Sequence, residues 1–181
     1  MNNFVTLFNY NYIPQGLALI DSLKKKIECK IWVICLDERI YNFLKEINLQ
    51  NIELIKLSEI EKKMRINHRQ NRNFHEYCWL LTPISIKYIL ETFNNLNAIT
   101  YIDADVYFFK KLDEILNEFE LSGKDIFIQE HGFHQKYEGR RKNGRFCVQF
   151  LTFKNNSTAK LILNEWLDMC IESTSVDYKK G

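Results

Sequence analysis

With 181 residues, a formal net charge of +2, 27% charged and 46% hydrophobic residues, the chain has the make-up of a folded globular protein with room for one domain. The charge is too balanced for a nucleic-acid binder, no run approaches the ~18 apolar residues of a membrane span, and the N-terminus lacks a signal peptide's basic start and apolar run. A cytoplasmic location is expected, with no transmembrane segment and with peripheral membrane contact left open. Cys29, Cys35, Cys78, Cys147 and Cys170 lie far apart with no C-x-x-C pair, so neither a zinc site nor a disulfide framework is expected, and all five read as small core residues.

Residues 4–8 read as a first strand and Asn9 to Tyr12 as a polar turn. A helix is expected over 13–26, with Pro14 in its first turn, where a missing N–H costs nothing. Lys24, Lys25 and Lys26 suit its C-terminal dipole. Residues 31–36 form a continuous apolar strand, as expected when helices cover both faces. Asp37 ends that strand, and a second helix is expected over 38–47. Residues 52–57 read as a third strand, with Ser58 and Glu61 as a capping box for a short helix. Lys62, Lys63, Arg65, His68, Arg69 and Arg72 make a basic segment, either a solvated loop or a flap over an anionic ligand.

Thr82 and Pro83 read as the N-cap and first position of a helix over 83–93. Residues 98–102 are the next strand, followed by a helix over 112–119 and a strand over 125–129. The polar stretch 130–145 reads as a long loop, 146–153 as a strand, and Asn156 and Ser157 as the start of a last helix that turns Ile162, Trp166, Met169 and Cys170 to one face. Alternating strands and helices predict a Rossmann-like three-layer α/β/α sandwich with a mostly parallel sheet. Gly-x-Gly-x-x-Gly and P-loop signatures are absent.

Asp103 and Asp105 follow the strand over 98–102 one residue apart. Two like charges at the edge of a core repel unless a cation sits between them. They read as ligands of Mg2+ or Mn2+, which share oxygen ligands between carboxylates and substrate phosphates. The alternative is a pair of turn and cap residues. Tyr107, Phe108, Phe109 and Trp79 read as core aromatics. Arg140, Arg141, Lys142 and Arg145 are candidate phosphate partners or a solvated loop. His131 and His134 read as loop residues, and Glu130 is the candidate general base.

Four blocks carry a resemblance: residues 7–19, 76–83, 100–109 and 146–155. In that order they resemble the nucleotide-diphospho-sugar transferase superfamily of GT-A type, closest to family-8-like bacterial enzymes that build lipopolysaccharide or other surface glycans. The resemblance implies a hexosyltransferase-like enzyme that uses a nucleotide-diphospho-sugar donor, a UDP-sugar favoured, and a glycan or lipid-linked glycan acceptor. It assigns Asp103 and Asp105 to the metal, Asp103 also to the ribose, and Asn9, Asn11 and Tyr12 to the nucleotide, with Asp37 a further candidate on the same sheet edge. Many relatives carry Asp at the position of Asn9, and the family-8 Asn-x-Gly is replaced here by Cys147-Val148-Gln149. Relatives continue past the last helix into a Gly-Asp-Gln motif and a histidine segment that supplies a third metal ligand. The chain is therefore expected to be one GT-A domain over 1–181 lacking its C-terminal part, with a binding domain without transfer activity as the alternative. A haloacid-dehalogenase-like phosphatase also uses Asp-x-Asp, but its motif sits near the N-terminus and wants Thr or Val where Tyr107 stands.

Overall fold

A computed structural model describes residues 2–66 and 72–172. It holds a six-stranded sheet of order β3-β2-β1-β4-β6-β5. The strands are β1 (Asn2–Phe8), β2 (Cys29–Cys35), β3 (Ile52–Lys56), β4 (Ala98–Ile102), β5 (Ile126–Glu130) and β6 (Phe146–Lys154). The helices are α1 (Ile13–Lys24), α2 (Glu38–Ile47), α3 (Leu57–Met64), α4 (Phe74–Thr92), α5 (Asp113–Leu121) and α6 (Ser157–Glu172). β3, β2, β1 and β4 run parallel, and β6 and β5 complete the sheet with antiparallel pairings. The expected α/β sandwich is therefore present, as a mostly parallel but mixed sheet.

Side chains alternate across the strands, so each strand feeds two cores. Val5, Leu7, Trp32, Ile34, Ile99 and Tyr101 face α4 and α6. Phe4, Phe8, Ile31, Val33, Ile102 and Phe150 face the α1 and α2 side. Asp37 caps α2 as its Oδ1 accepts from Ile40 N at 2.9 Å, and α2 spans the residues expected.

Four expectations are corrected. First, α4 does not begin at Pro83. It starts at Phe74 behind Asn73, whose Oδ1 accepts from Glu76 N while Glu76 Oε2 accepts from Asn73 N, a reciprocal cap. Pro83 lies inside this helix, buried, and forgoes one helical hydrogen bond. Second, α3 begins at Leu57, with Lys56 N donating to Glu59 Oε1, so Ser58 lies within the helix. Third, α6 buries Ala159, Leu163 and Leu167, whereas Ile162 and Met169 are exposed. Fourth, part of the stretch read as loop is 3-10 helix, Gln135–Asn143.

Asn73→Ala is expected to cost about 1 kcal/mol of stability, the usual worth of an N-cap. Thermal unfolding of wild type and mutant checks it; an unchanged midpoint would mean that packing alone holds the first turn of α4.

Candidate active site

β1 leads through α1 to β2 on one side, and the chain later returns to the other side of β1 as β4. Strand order thus reverses between β1 and β4, the place where open α/β sheets bind ligands at the strands' carboxyl ends. β1 and β4 are in register only at Phe4/Thr100 and Val5/Tyr101, whereas β1 and β2 are in register over seven pairs. Beyond Val5 the two strands part. The crevice so formed is a cavity of ≈ 210 Å³, with Asn9 and Tyr12 on the β1 side, Asp103 and Asp105 on the β4 side, and Trp79 and Thr82 from α4.

Asn9 Oδ1 accepts from Asn11 N at 3.1 Å, which sets the short 3-10 turn Tyr10–Tyr12. Asp37 braces the same turn, because its Oδ2 accepts from Tyr10 N at 3.0 Å. With its other oxygen capping α2, Asp37 joins the turn to that helix and does not itself line the cavity. Asn11 also stays outside it.

Asp103 is half-buried and Asp105 is exposed. The Asp103 backbone N–H donates to Gln149 O at 3.0 Å, its carbonyl accepts from Val106 N at 3.2 Å, and its Oδ1 accepts from the Tyr101 hydroxyl at 2.9 Å. Burial raises the Asp103 pKa above the ordinary carboxylate value, the Tyr101 hydrogen bond opposes the rise, and the Asp105 charge adds to it. Tyr101 is buried and its pKa lies well above normal, through burial first and then the Asp103 charge. β6 carries an irregularity beside this loop: Leu151 pairs with Ile128, but the next pair is Cys147 with Gln129. Bulges re-aim side chains beside functional sites, and Val148 from this stretch lines the cavity.

Because the folded-state pKa of Asp103 is raised, the native state holds its proton more tightly than the unfolded chain does. The stability this gives is complete below the ordinary carboxylate pKa and is lost as pH rises through the folded value. Without divalent cations, Asp103→Asn is therefore expected to melt above wild type at pH 7 and to match it near pH 3. Melting curves across that range in a chelator check this, and a mutant that melts lower at neutral pH would overturn it.

Several aromatic expectations are corrected. Trp79 is exposed and lines the cavity, as do Phe74 and His75 beside it. Tyr107 and Phe109 are exposed because the chain has left the sheet by Ile102, and only Phe108 packs inward. Cys29 and Cys35 are buried in the core, with burial pushing the Cys35 thiol up to about 12. Cys78 is half-buried and lines the cavity, its thiol pushed up to about 11 by burial and by Asp103. Reading the Asn73/Glu76 cap would have placed Phe74, His75, Cys78, Trp79 and Thr82 on one face of a helix.

Glu130 ends β5 outside the cavity and is paired with Arg145 and Arg141. The hydrogen bond from Arg145 chiefly lowers its pKa. His131 stacks on Phe133, and His134 Nδ1 accepts from Lys136 N. The side chains of Arg140 and Lys142 lie outside the described set, as do His68 and Arg69. Arg72, at the end of the basic segment, donates to Cys170 O and Ile171 O.

The family model for nucleotide-diphospho-sugar transferases matches residues 28–177. The chain belongs to that family. Among curated relatives of this family member, the uncharacterised proteins YfnF and YfnD of Bacillus subtilis (strain 168) are 26% identical over 175 residues and 24% over 180. The matches cover 93% and 97% of the chain but only 58% and 56% of those proteins, so the chain spans little more than half their length. In solved structures the same fold appears in the galactosyltransferase LgtC, crystallised with donor and acceptor sugar analogues, at TM-score 0.59 and 16% identity, over 94% of this chain and 64% of that one. It also appears in mouse xyloside xylosyltransferase 1 at TM-score 0.58 and 12% identity, over 96% and 75%. Among the described residues of this family member, no helix is long and apolar enough to cross a membrane.

Proposed function

We propose that residues 1–181 act as one GT-A domain of a metal-dependent, family-8-type glycosyltransferase, and that the cavity between β1 and β4 receives a nucleotide-diphospho-sugar. The observation that carries this reading is the charge inventory of the cavity. Asp103 and Asp105 face it, and among the described residues no lysine or arginine lines it. A diphosphate beside two carboxylates is repelled unless a cation lies between them.

The residues fit a hard divalent cation. Asp103 is half-buried without a basic partner, which is why its pKa is raised, and Tyr101 occupies one of its oxygens. Among the described residues no cluster of three His, Cys, Asp or Glu side chains could hold an ion. In this reading donor phosphates and water take up coordination sites beside Asp103 and Asp105, a common arrangement for Mg2+ and Mn2+. When bound, the ion supplies Lewis-acid stabilisation of the diphosphate leaving group. Asn9 and Tyr12 bind the nucleoside, with uridine favoured, and Asn11 and Asp37 hold their turn in place. The acceptor is a glycan or lipid-linked glycan of a bacterial surface polymer.

Isothermal titration of UDP and GDP, each with and without manganese, tests the reading. Manganese-dependent binding of one nucleotide is expected; binding that ignores manganese, or no binding of either, overturns it. A second reading is a donor-binding domain without transfer. Turnover of nucleotide sugars, with release of the free nucleotide, separates the two.

A further inference from the structure

The segment after Asp105 leaves the crevice and descends along α1. Phe108 fixes it there: its backbone N–H donates to Ser22 Oγ at 3.2 Å, and its ring meets Phe150 edge-on at 6.2 Å between centroids. Ser22 belongs to the last turns of α1, whose axis runs away from the carboxyl ends of the strands. The anchored segment therefore lies on the flank of the domain, about 13 Å along α1 from its start at 1.5 Å per residue. Tyr107 and Phe109, on either side of the anchor, turn outward with relative exposures of 49% and 82%. Their rings lie 4.9 Å apart at 59°, so they form one protruding aromatic pair. Lys110 and Lys111 follow and are exposed.

Lys25, at the end of α1, lies near enough to Tyr107 to interact with it electrostatically, and pairs with Asp21 at 2.7 Å. Asp105 lies two residues before Tyr107 and lines the crevice, while Asp113 and Glu114 follow the lysines in the first turn of α5, where a helix dipole favours negative charge. The anchored segment thus presents two aromatic rings beside cations. Rings of this kind settle at the boundary between headgroups and acyl chains, and lysines beside them are drawn by anionic lipids. An exposed apolar pair meant for another protein's apolar groove gains nothing from flanking lysines, whereas an anionic bilayer satisfies both features at once.

We propose that Tyr107 and Phe109, with Lys110, Lys111 and the lysine-rich end of α1, form a docking surface for an anionic lipid bilayer. The surface lies apart from the crevice and does not depend on the sugar-transfer reading. If both hold, it positions the domain at the layer where lipid-linked acceptors reside.

The test is co-sedimentation of the full chain with vesicles of phosphatidylcholine alone and of phosphatidylcholine with 30% phosphatidylglycerol. The chain is expected to pellet with the second and not the first, and to be released at 0.5 M NaCl, where screening shortens the reach of surface charge. At about fivefold per lysine, the double substitution K110E/K111E should weaken partitioning at least 20-fold. Phe109→Ser should weaken it about tenfold. The melting temperature should be unchanged in both variants, which shows that the fold is intact whether or not the crevice takes a nucleotide and separates this test from that of the active site. Equal partitioning to the two vesicle types, no partitioning, or wild-type partitioning by Phe109→Ser overturns the proposal. A dimer in solution that Phe109→Ser dissociates overturns it as well, in favour of a second copy as the occupant.

Discussion

Asp105→Asn is expected to lower sugar transfer by at least ~100-fold, since Lewis-acid stabilisation of a leaving group is worth several kcal/mol and each 1.36 kcal/mol is a factor of ten in rate. Asp105 is exposed at the mouth of the crevice, so the substitution should leave the melting temperature in place. That separates it from Asp103→Asn, whose loss of function should come with a gain in stability at neutral pH, because it removes a half-buried negative charge. Measured together, the pair isolates the role of the carboxylates from their structural cost. Turnover by Asp105→Asn within a few-fold of wild type, at saturating manganese and donor, would sink the metal assignment.

Gly16→Ala is expected to destabilise the chain by about 2 kcal/mol, the range for forcing an extra carbon into a packed core. A Cβ at Gly16 would lie 2.4 Å from Phe8 Cζ, with both ortho-side ring neighbours of that atom within 2.7 Å. Phe8 is buried at the end of β1 and cannot swing into solvent. It also lines the crevice, so the ring displaced by the new methyl shifts the cavity wall. Nucleotide affinity should therefore fall together with the melting temperature, by roughly 4–8 °C for a chain of this size. Phe8→Leu in the Gly16→Ala background should recover much of the stability. Thermal unfolding of the single and double mutants decides it, and additive losses would show that Gly16 and Phe8 do not share this space.

Much of the architecture was legible because period and punctuation agreed. The apolar run ending at Cys35, the cap at Asp37 and the periodic residues after it all point to the same strand–helix junction, and α2 lies where they say. Where two signals competed, the stronger-looking one misled. Thr82-Pro83 is a good helix start by local chemistry, but the reciprocal cap of Asn73 and Glu76 lies nine residues earlier and the core accepts Pro83 within the helix. Helical spacing also leaves the buried face uncertain by one residue. In α6 that was enough to favour Ile162 and Met169 over Leu163 and Leu167. Exposure of aromatics is a tertiary property. Nothing local says that Phe109 protrudes while Phe108, its neighbour, packs against Phe150. The cavity lining from α4 was illegible for the same reason that its helix start was misplaced.

The seam between β1 and β4 has a kinetic consequence. β1, β2 and β3 pair across short stretches of chain, whereas Phe4 meets Thr100 and Val5 meets Tyr101 across the greatest chain separation of any strand pairing in the sheet. Such contacts carry the largest loop-closure cost. The crevice therefore comes into being late, once a preformed β1–β3 unit captures β4, and it is the first place to part in local opening. Amide hydrogen exchange should show this as faster exchange at Ile102, whose N–H faces β1, than at Val33. A ligand that bridges the two strand ends would slow the first far more than the second.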